Sequence, residues 1–431
     1  MKTSNQDQVV PIPQNQRIHF LDVLRGIAIQ CILMANIVYF SGLFFFPESY
    51  RNQFFTFSTD MIVGFLSFMF IDGKFYTIFS LLFGIGCYVQ FNKLRKQDKP
   101  FAPFFAKRMF WLLVFGLIHL IGFWIGDILT LYAILGFAII PFITLSDKKL
   151  LTLATVLILF PIVNWLVIES LGFDYPAVFF EKSMESWKLN GYPQVEWQGE
   201  LWNDFVVMLT NTSWSDHFKM NRGDAWVRLA MILEEGRIFK VFGIFLIGVC
   251  AGRQILNNDL LNNTKLLKRV VIFGLLIGLP MCFCRTYLQF MGEQTEVNSF
   301  LNTLSYAFGT VPTALGYAAL IALWFRKRPR AFMWLAPAGK MAFTNYILHT
   351  VFGIFLFYGL GLGYAGKMGF TAITIIAIAY FLLEVLFSTI WLKYFRFGPL
   401  EWLWRQLTYG KFLKIKNINL DKTINYKINE S

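Results

Sequence analysis

Charge is what this sequence has least of. Only 15% of its 431 residues are Asp, Glu, Lys or Arg, where a soluble globular protein carries about 25%. At that density a chain of this length cannot cover a water-facing surface, which excludes a soluble enzyme and a disordered protein. Cysteine is scarce too. Cys31, Cys87, Cys250, Cys282 and Cys284 are odd in number, contain no CxxC pair and lie in apolar stretches. Neither a disulfide framework nor a zinc site is expected. P-loop, GxSxG, HExxH and GxGxxG patterns are missing, and nothing in the sequence calls for a metal. The opening MKTSNQDQVVPIPQNQRIHF has no apolar core. It does not read as a cleavable leader, so the first spanning helix is expected to direct insertion.

What is present is apolar. Hydrophobic residues make up 56% of the chain, with 49 Phe, and runs of about 18–25 such residues recur. The expectation is an all-α, polytopic transmembrane helical bundle of about ten spans with an external hydrophilic insert. The spans fall near 20–44, 75–92, 109–125, 127–146, 149–171, 238–256, 268–290, 299–325, 341–363 and 368–393. Helix is the form that satisfies every backbone group in lipid when no alternating barrel pattern is present. Residues 56–71 are apolar but short, and read as an interfacial or re-entrant helix.

The net charge of +13 is placed for a membrane and not for nucleic acid. Residues 92–108 carry six basic residues against Asp98, net +5; Arg326–Arg330 is a second basic loop; the stretch after 393 is net +4. Residues 172–237 are net −4. Positive-inside bias then puts both termini in the cytoplasm and 172–237 outside. That insert is rich in tryptophan (Trp187, Trp197, Trp202, Trp214, Trp226). It reads either as an ordered cap on the outer face or as a tether with interfacial aromatics. The domains expected are 1–171, 172–237, 238–411 and a basic tail 412–431.

Ionisable groups inside spans are costly, and so are functional candidates. Asp22 and Arg25 share a helix face, as does Asn36, eleven residues or about three turns beyond Arg25. Taken alone, Asp22–Arg25 is equally an interfacial ion pair. Arg108 and His119 repeat the eleven-residue spacing, about 16 Å apart on one helix face. The four side chains are expected to face one cavity. Asp127 follows His119 closely, with Gly122 and Gly126 to let the chain turn. A His with a carboxylate partner works as a general base, because the carboxylate sets its tautomer and stabilises the imidazolium. The plain alternative is a histidine bridging two helices. Asn345 and His349 share a face with Lys340, and Glu384 lies mid-span in the last helix. A His349–Glu384 contact satisfies both groups structurally, or serves a proton relay. For Asp72 and Lys74 the plain reading is a pair with each other at the outer interface. Gly84 and Gly86 read as small residues for close helix packing.

Several stretches together resemble one bacterial family. RIHFLDVLRGIAI (17–29), FSLLFGIGCYVQF (79–91) and IGDILTLYAILG (125–136) are similar to the N-terminal half of YeiB-like membrane proteins. GKMAFTNYILHT (339–350) and FGPLEWLWRQLTYGK (397–411) resemble their C-terminal half, the DUF418 domain, whose opening resembles EEGRIFKVFGIFLIGVCAGR (234–253). The N-terminal half is also similar to the transmembrane acyltransferases, which pass an acyl group from cytoplasmic acyl-CoA to an acceptor on the far side. Leu21–Gly26 matches their first-helix motif, and Arg108 with His119 matches the Arg-x10-His spacing of acyltransferase-3 proteins. Those proteins carry a catalytic His in the first span, where this chain has Asn36, and Asn is no base.

The resemblance therefore implies a bacterial plasma-membrane acyltransferase with acyl-CoA as donor. His119 and Asp127 are its candidate catalytic pair, and Asp22, Arg25, Asn36 and Arg108 its candidate binding residues. His349, Asn345 and Glu384 are secondary candidates. The acceptor would be a small molecule, a glycan or a lipid, met among membrane lipids by a monomer or an oligomer. The rival class is a small-solute or proton-coupled transporter. It lacks a pair of broken helices at corresponding positions of the two halves.

Overall fold

The computed structural model describes residues 18–43, 46, 54, 57–191, 209–293 and 295–417. Trp197, Trp202, the first seventeen residues and most of the basic tail lie outside the described residues. Everything described is helix and turn, apart from a lone antiparallel bridge between Phe395 and Lys416.

The helices run in chain order as α1 (His19–Phe40), α2 (Asp60–Phe70), α3 (Lys74–Arg95), α4 (Phe101–Gly122), α5 (Leu129–Ala138) and α6 (Asp147–Trp165). Two helices of the insert follow, α7 (Ala177–Leu189) and α8 (Trp214–Glu234). The second half holds α9 (Arg237–Asn257), α10 (Thr264–Met291), α11 (Glu296–Lys327), α12 (Pro329–Lys340), α13 (Ala342–Phe357), α14 (Phe370–Tyr394) and α15 (Pro399–Tyr409). Eight of these stretches are long and apolar enough to cross a bilayer, and nine if the bent pair α12–α13 counts as one. The chain is a polytopic helical membrane protein.

Three spans differ from the sequence expectation. Residues 56–71 are not a separate interfacial element: α2 continues into α3 across only Ile71–Gly73. The span expected at 127–146 is a ten-residue helix with a 3-10 turn at Ile140–Phe142. It is preceded by the non-helical stretch Phe123–Ile128, which takes the first two residues of the expected span. Such backbone persists among spans only where protein surrounds it. The ninth span is broken, since α12 and α13 meet at Met341 with a bend of 73°. The break has a local cause. Glu401 accepts hydrogen bonds from the Phe343 and Thr344 N–H groups and the Thr344 hydroxyl, at 2.7, 3.0 and 2.6 Å. A carboxylate at the first turn satisfies orphan donors and complements the helix dipole, so α13 starts afresh there.

Small residues let the helices meet. A Cβ on Gly84 of α3 would stand 2.2 Å from the Phe245 carbonyl oxygen of α9. One on Gly339 of α12 would stand 1.8 Å from the Asp22 carbonyl oxygen of α1. Backbone approach of this kind is the usual way apolar helices associate where no hydrophobic effect separates protein from lipid.

The described part of the insert is a helical pair, α7 against α8. Trp187 is buried between them and donates from Nε1 to the Met220 carbonyl at 3.0 Å. Asp224 of α8 is fully buried, and neither carboxylate oxygen has a hydrogen-bond partner among the described residues. Burial pushes its pKa up to about 8. A carboxyl raised in this way is held protonated by the folded state. Between the ordinary pKa near 4 and about 8, the folded chain binds more protons than the unfolded one, and stability falls as pH rises. Asp224→Asn imitates the neutral acid. We expect it to melt several degrees above the parent protein at pH 8 and at nearly the same temperature at pH 5. Parallel melting curves without that divergence contradict the burial argument.

Candidate functional site

A cavity of about 1110 Å³ runs through the helices. On α1 it is lined by Arg25, Ile29, Ile32, Asn36 and Tyr39. That stripe of i+3 and i+4 steps extends about 21 Å along the helix.

One end of the cavity is basic. Arg25, Arg108, Lys340 and Arg405 all line it. Arg25 pairs with Asp22 at 3.0 Å and also donates to the Gly339 carbonyl at 3.4 Å. The Arg108 guanidinium stacks on the Trp404 ring, 3.8 Å from its centroid, and has no carboxylate partner among the described residues. Trp404 Nε1 donates to the Arg108 carbonyl at 3.0 Å, which ties α15 to α4. Glu401, three residues before Trp404, also lines the cavity, but its oxygens are committed to the start of α13. The middle of the cavity is largely apolar, with Ile29, Leu82, Phe83 and Leu112 in its wall.

The other end is polar and amphoteric. Asp72 pairs with Arg285 at 3.1 Å, and Arg237 Nε donates to Glu235 at 2.7 Å. The Tyr76 and Tyr306 hydroxyls are 2.7 Å apart. Behind Tyr306, the fully buried Lys240 donates to the Tyr306 carbonyl at 2.7 Å and to the Thr310 hydroxyl. The expected Asp72–Lys74 pair does not form. Lys74 instead donates to the Phe68 carbonyl at 3.0 Å, at the end of α2, and α10 brings Arg285 to Asp72. Sequence reasoning passed over this cluster, although Lys240 and Arg285 are ionisable residues inside apolar runs and satisfy the criterion used for His119.

His119 does not line the cavity. It is 2% exposed and stands behind the wall, where Trp124 and Tyr346 face the open space with ring centroids 6.4 and 5.3 Å from the imidazole. The expectation that Arg25, Asn36, Arg108 and His119 share one cavity therefore holds for three of the four. α13 packs a hydroxyl against His119 and draws the ring aside. His119 Nδ1 lies 2.8 Å from Asp127 Oδ1, and Nε2 lies 2.9 Å from Thr350 Oγ1. An ionised carboxylate only accepts, so Nδ1 carries the proton and Nε2 offers its lone pair to the Thr350 hydroxyl.

Asp127 is positioned by its own chain. Its oxygens accept from the Leu129 and Thr130 N–H groups, at 3.2 and 2.8 Å, which starts α5. The flanking peptides are pinned by Tyr346, whose hydroxyl donates to the Gly126 carbonyl and accepts from the Ile128 N–H, both at 3.2 Å. Neither Gly122 nor Gly126 adopts a positive φ. Gly126 is needed for another reason: a Cβ there would stand 2.1 Å from the Trp124 ring.

The secondary candidates lie elsewhere. His349 Nε2 is 3.0 Å from Glu384 Oε2, and both are buried away from the cavity. Asn345 donates to Ser388 at 3.1 Å and to the Ala338 carbonyl at 3.3 Å. The face expected to unite Lys340, Asn345 and His349 is broken by the bend at Met341. Lys340 lines the cavity, while Asn345 and His349 meet α14.

Residues 251–411 match the family model described as a protein of unknown function, DUF418. Along nearly its whole length the chain is similar to bacterial proteins. It is 29% identical to the uncharacterized protein YxaH of Bacillus subtilis, over 93% of this chain and 96% of that one. It is 26% identical to an uncharacterized 39.9 kDa protein of Bacillus acidopullulyticus, over 93% and 96%. With the uncharacterized protein YeiB of Escherichia coli it shares 30% identity, over 90% of this chain and 95% of that one. No solved structure matches it. A match of that extent to YeiB, with the domain match at 251–411, establishes that the chain belongs to the YeiB-like, DUF418 family of membrane proteins.

Proposed function

We propose that this protein is an acyltransferase of the bacterial plasma membrane, with both termini cytoplasmic. It takes an acyl group from cytoplasmic acyl-CoA and passes it to an acceptor that enters from the outer face. The observation that carries the reading is the shape of this cavity: a basic mouth, an apolar passage and a polar chamber in series, with a histidine–carboxylate pair behind its wall. Arg25, Arg108, Lys340 and Arg405 suit the phosphates of the donor, through charge-assisted bonds. The apolar passage suits its narrow pantetheine arm.

In the transfer step His119 Nε2 takes the proton from the acceptor hydroxyl or amine as that atom attacks the thioester carbonyl. The carbon–sulfur bond breaks, and the departing CoA thiolate takes the proton from the imidazolium. Asp127 holds Nδ1–H throughout. For this step the Trp124–Tyr346 wall must move aside, and the reading treats the described conformation as the closed one. Until the wall moves, the base is kept from water beside the thioester, which it would otherwise activate for hydrolysis.

Purified protein in lipid nanodiscs provides the test. Acetyl-CoA should bind saturably, and the double variant Arg25→Gln/Arg108→Gln should weaken it at least ten-fold, since each lost charge-assisted contact is worth about 1.5–3 kcal/mol. Absence of acetyl-CoA binding to the parent protein refutes the donor assignment. The carrier alternative draws on the length of the cavity along α1. Among the described residues one broken helix, α12–α13, accompanies it. A solute path through both leaflets with no acetyl-CoA binding would decide for transport.

A further inference from the structure

The insert helix α8 puts one arginine into the cavity wall, and its position is informative. Arg228 lines the cavity. Its Nε and Nη2 both donate to the Asp127 carbonyl, at 3.2 and 3.0 Å. A guanidinium has five N–H donors in a rigid plane. One edge, Nε with Nη2, is spent on a single backbone carbonyl. The other edge, Nη1 with Nη2, has no hydrogen-bond partner and no carboxylate partner among the described residues. Glu235 and Arg237, which line the same cavity, are paired with each other; Glu181 and Glu234 also line it, and neither is hydrogen-bonded to Arg228 among the described residues.

A cation in a membrane cavity whose bidentate edge is unoccupied is a receptor for a planar or tetrahedral oxyanion. The geometry points to Arg228 as the residue that reads an oxyanion, carboxylate or phosphate, on the acceptor. Because its opposite edge grips the Asp127 carbonyl, acceptor binding bears directly on the segment that holds the His119–Asp127 pair. Arg228 is thus an acceptor-binding residue and, through Asp127, a positioning residue. The external insert thereby forms part of the site. This inference rests on the acyl-transfer reading for the word acceptor, but not for the anion site itself.

The experiment uses the full chain in nanodiscs, carrying Arg25→Gln/Arg108→Gln to weaken the basic mouth; Lys340 and Arg405 remain there, and the Arg228 variants distinguish their contribution from that of Arg228. Inorganic phosphate and acetate are titrated separately at constant ionic strength, with chloride as the balancing anion, and the melting temperature is read. One of the two should raise it saturably: phosphate alone marks a phosphorylated acceptor, acetate alone a carboxylate one. Arg228→Gln added to this background should weaken the half-saturation at least ten-fold. Arg228→Lys keeps a cation without the bidentate edge, so it should also weaken it, and it serves as the second variant if the Gln form does not fold. An unchanged half-saturation in either variant, or no saturable effect of either anion on the background protein, overturns the proposal. Acetyl-CoA binding to the parent chain is a separate readout. Its failure removes the donor reading while leaving the anion result standing.

Discussion

His119→Ala should lower acyl transfer about a thousand-fold or more, the upper part of the range for losing a general base, while the protein still inserts and binds acetyl-CoA. The local structure can bear the change. Asp127 keeps the Leu129 and Thr130 N–H groups as donors, and its flanking peptides stay pinned by Tyr346 and Arg228. The loss in stability should be about 1–3 kcal/mol, from the unpaired Thr350 hydroxyl and the emptied ring volume. His119→Gln separates chemistry from structure. Its amide can retain a bond to Asp127 or Thr350 but cannot take a proton at neutral pH. Turnover restored by Gln would make His119 a bridge between α4 and α13 and nothing more.

The largest effect on folding is expected from Gly84→Leu. The crossing of α3 and α9 leaves no room for any side chain there. A Cβ on Gly84 would sit 2.2 Å from the Phe245 carbonyl oxygen, and one on Gly248 would sit 2.4 Å from the Leu81 carbonyl oxygen. Those are backbone atoms that cannot rotate away, so the helices must separate, at about 3 kcal/mol or more. Both glycines are buried where the two helices meet, and the polar chamber is built on the same two helices, by Tyr76 and Arg237. Two residues further along α3, Gly86 has nothing within 4 Å of its Cβ position. Gly86→Ala should be neutral or stabilising by up to about 1 kcal/mol, through helix propensity. Melting curves in detergent compare the two. A Gly84→Leu protein that melts with Gly86→Ala would mean the close crossing is absent.

Helical periodicity puts Arg25 and Asn36 on one face of α1, and the cavity lies there, because a straight helix preserves angular relations over eleven residues. The same reasoning fails for Lys340 with His349, because the bend at Met341 resets the angle between them. It also fails for Arg108 with His119 in one respect. The face is shared, but a partner hydroxyl from α13, 231 residues away in sequence, decides which side of the wall the imidazole occupies. Asp127 was legible as a partner for His119 because only eight residues separate them. Arg228, 101 residues from the carbonyl it grips, was not.

The sequence by itself determined the class of molecule, a multi-span helical membrane protein, because apolar run length and backbone hydrogen bonding in lipid leave one solution. It determined the family, through stretches such as FGPLEWLWRQLTYGK, and it exposed the ionisable residues that lipid would not tolerate. Only the tertiary structure decided which of those residues meet. The pairing of Asp72 with Arg285, the stacking of Arg108 on Trp404, the capping of α13 by Glu401 and the covering of His119 by Tyr346 all join segments far apart in the chain. Periodicity reports which way a side chain points from its own helix axis. It carries no information about which other helix is waiting there.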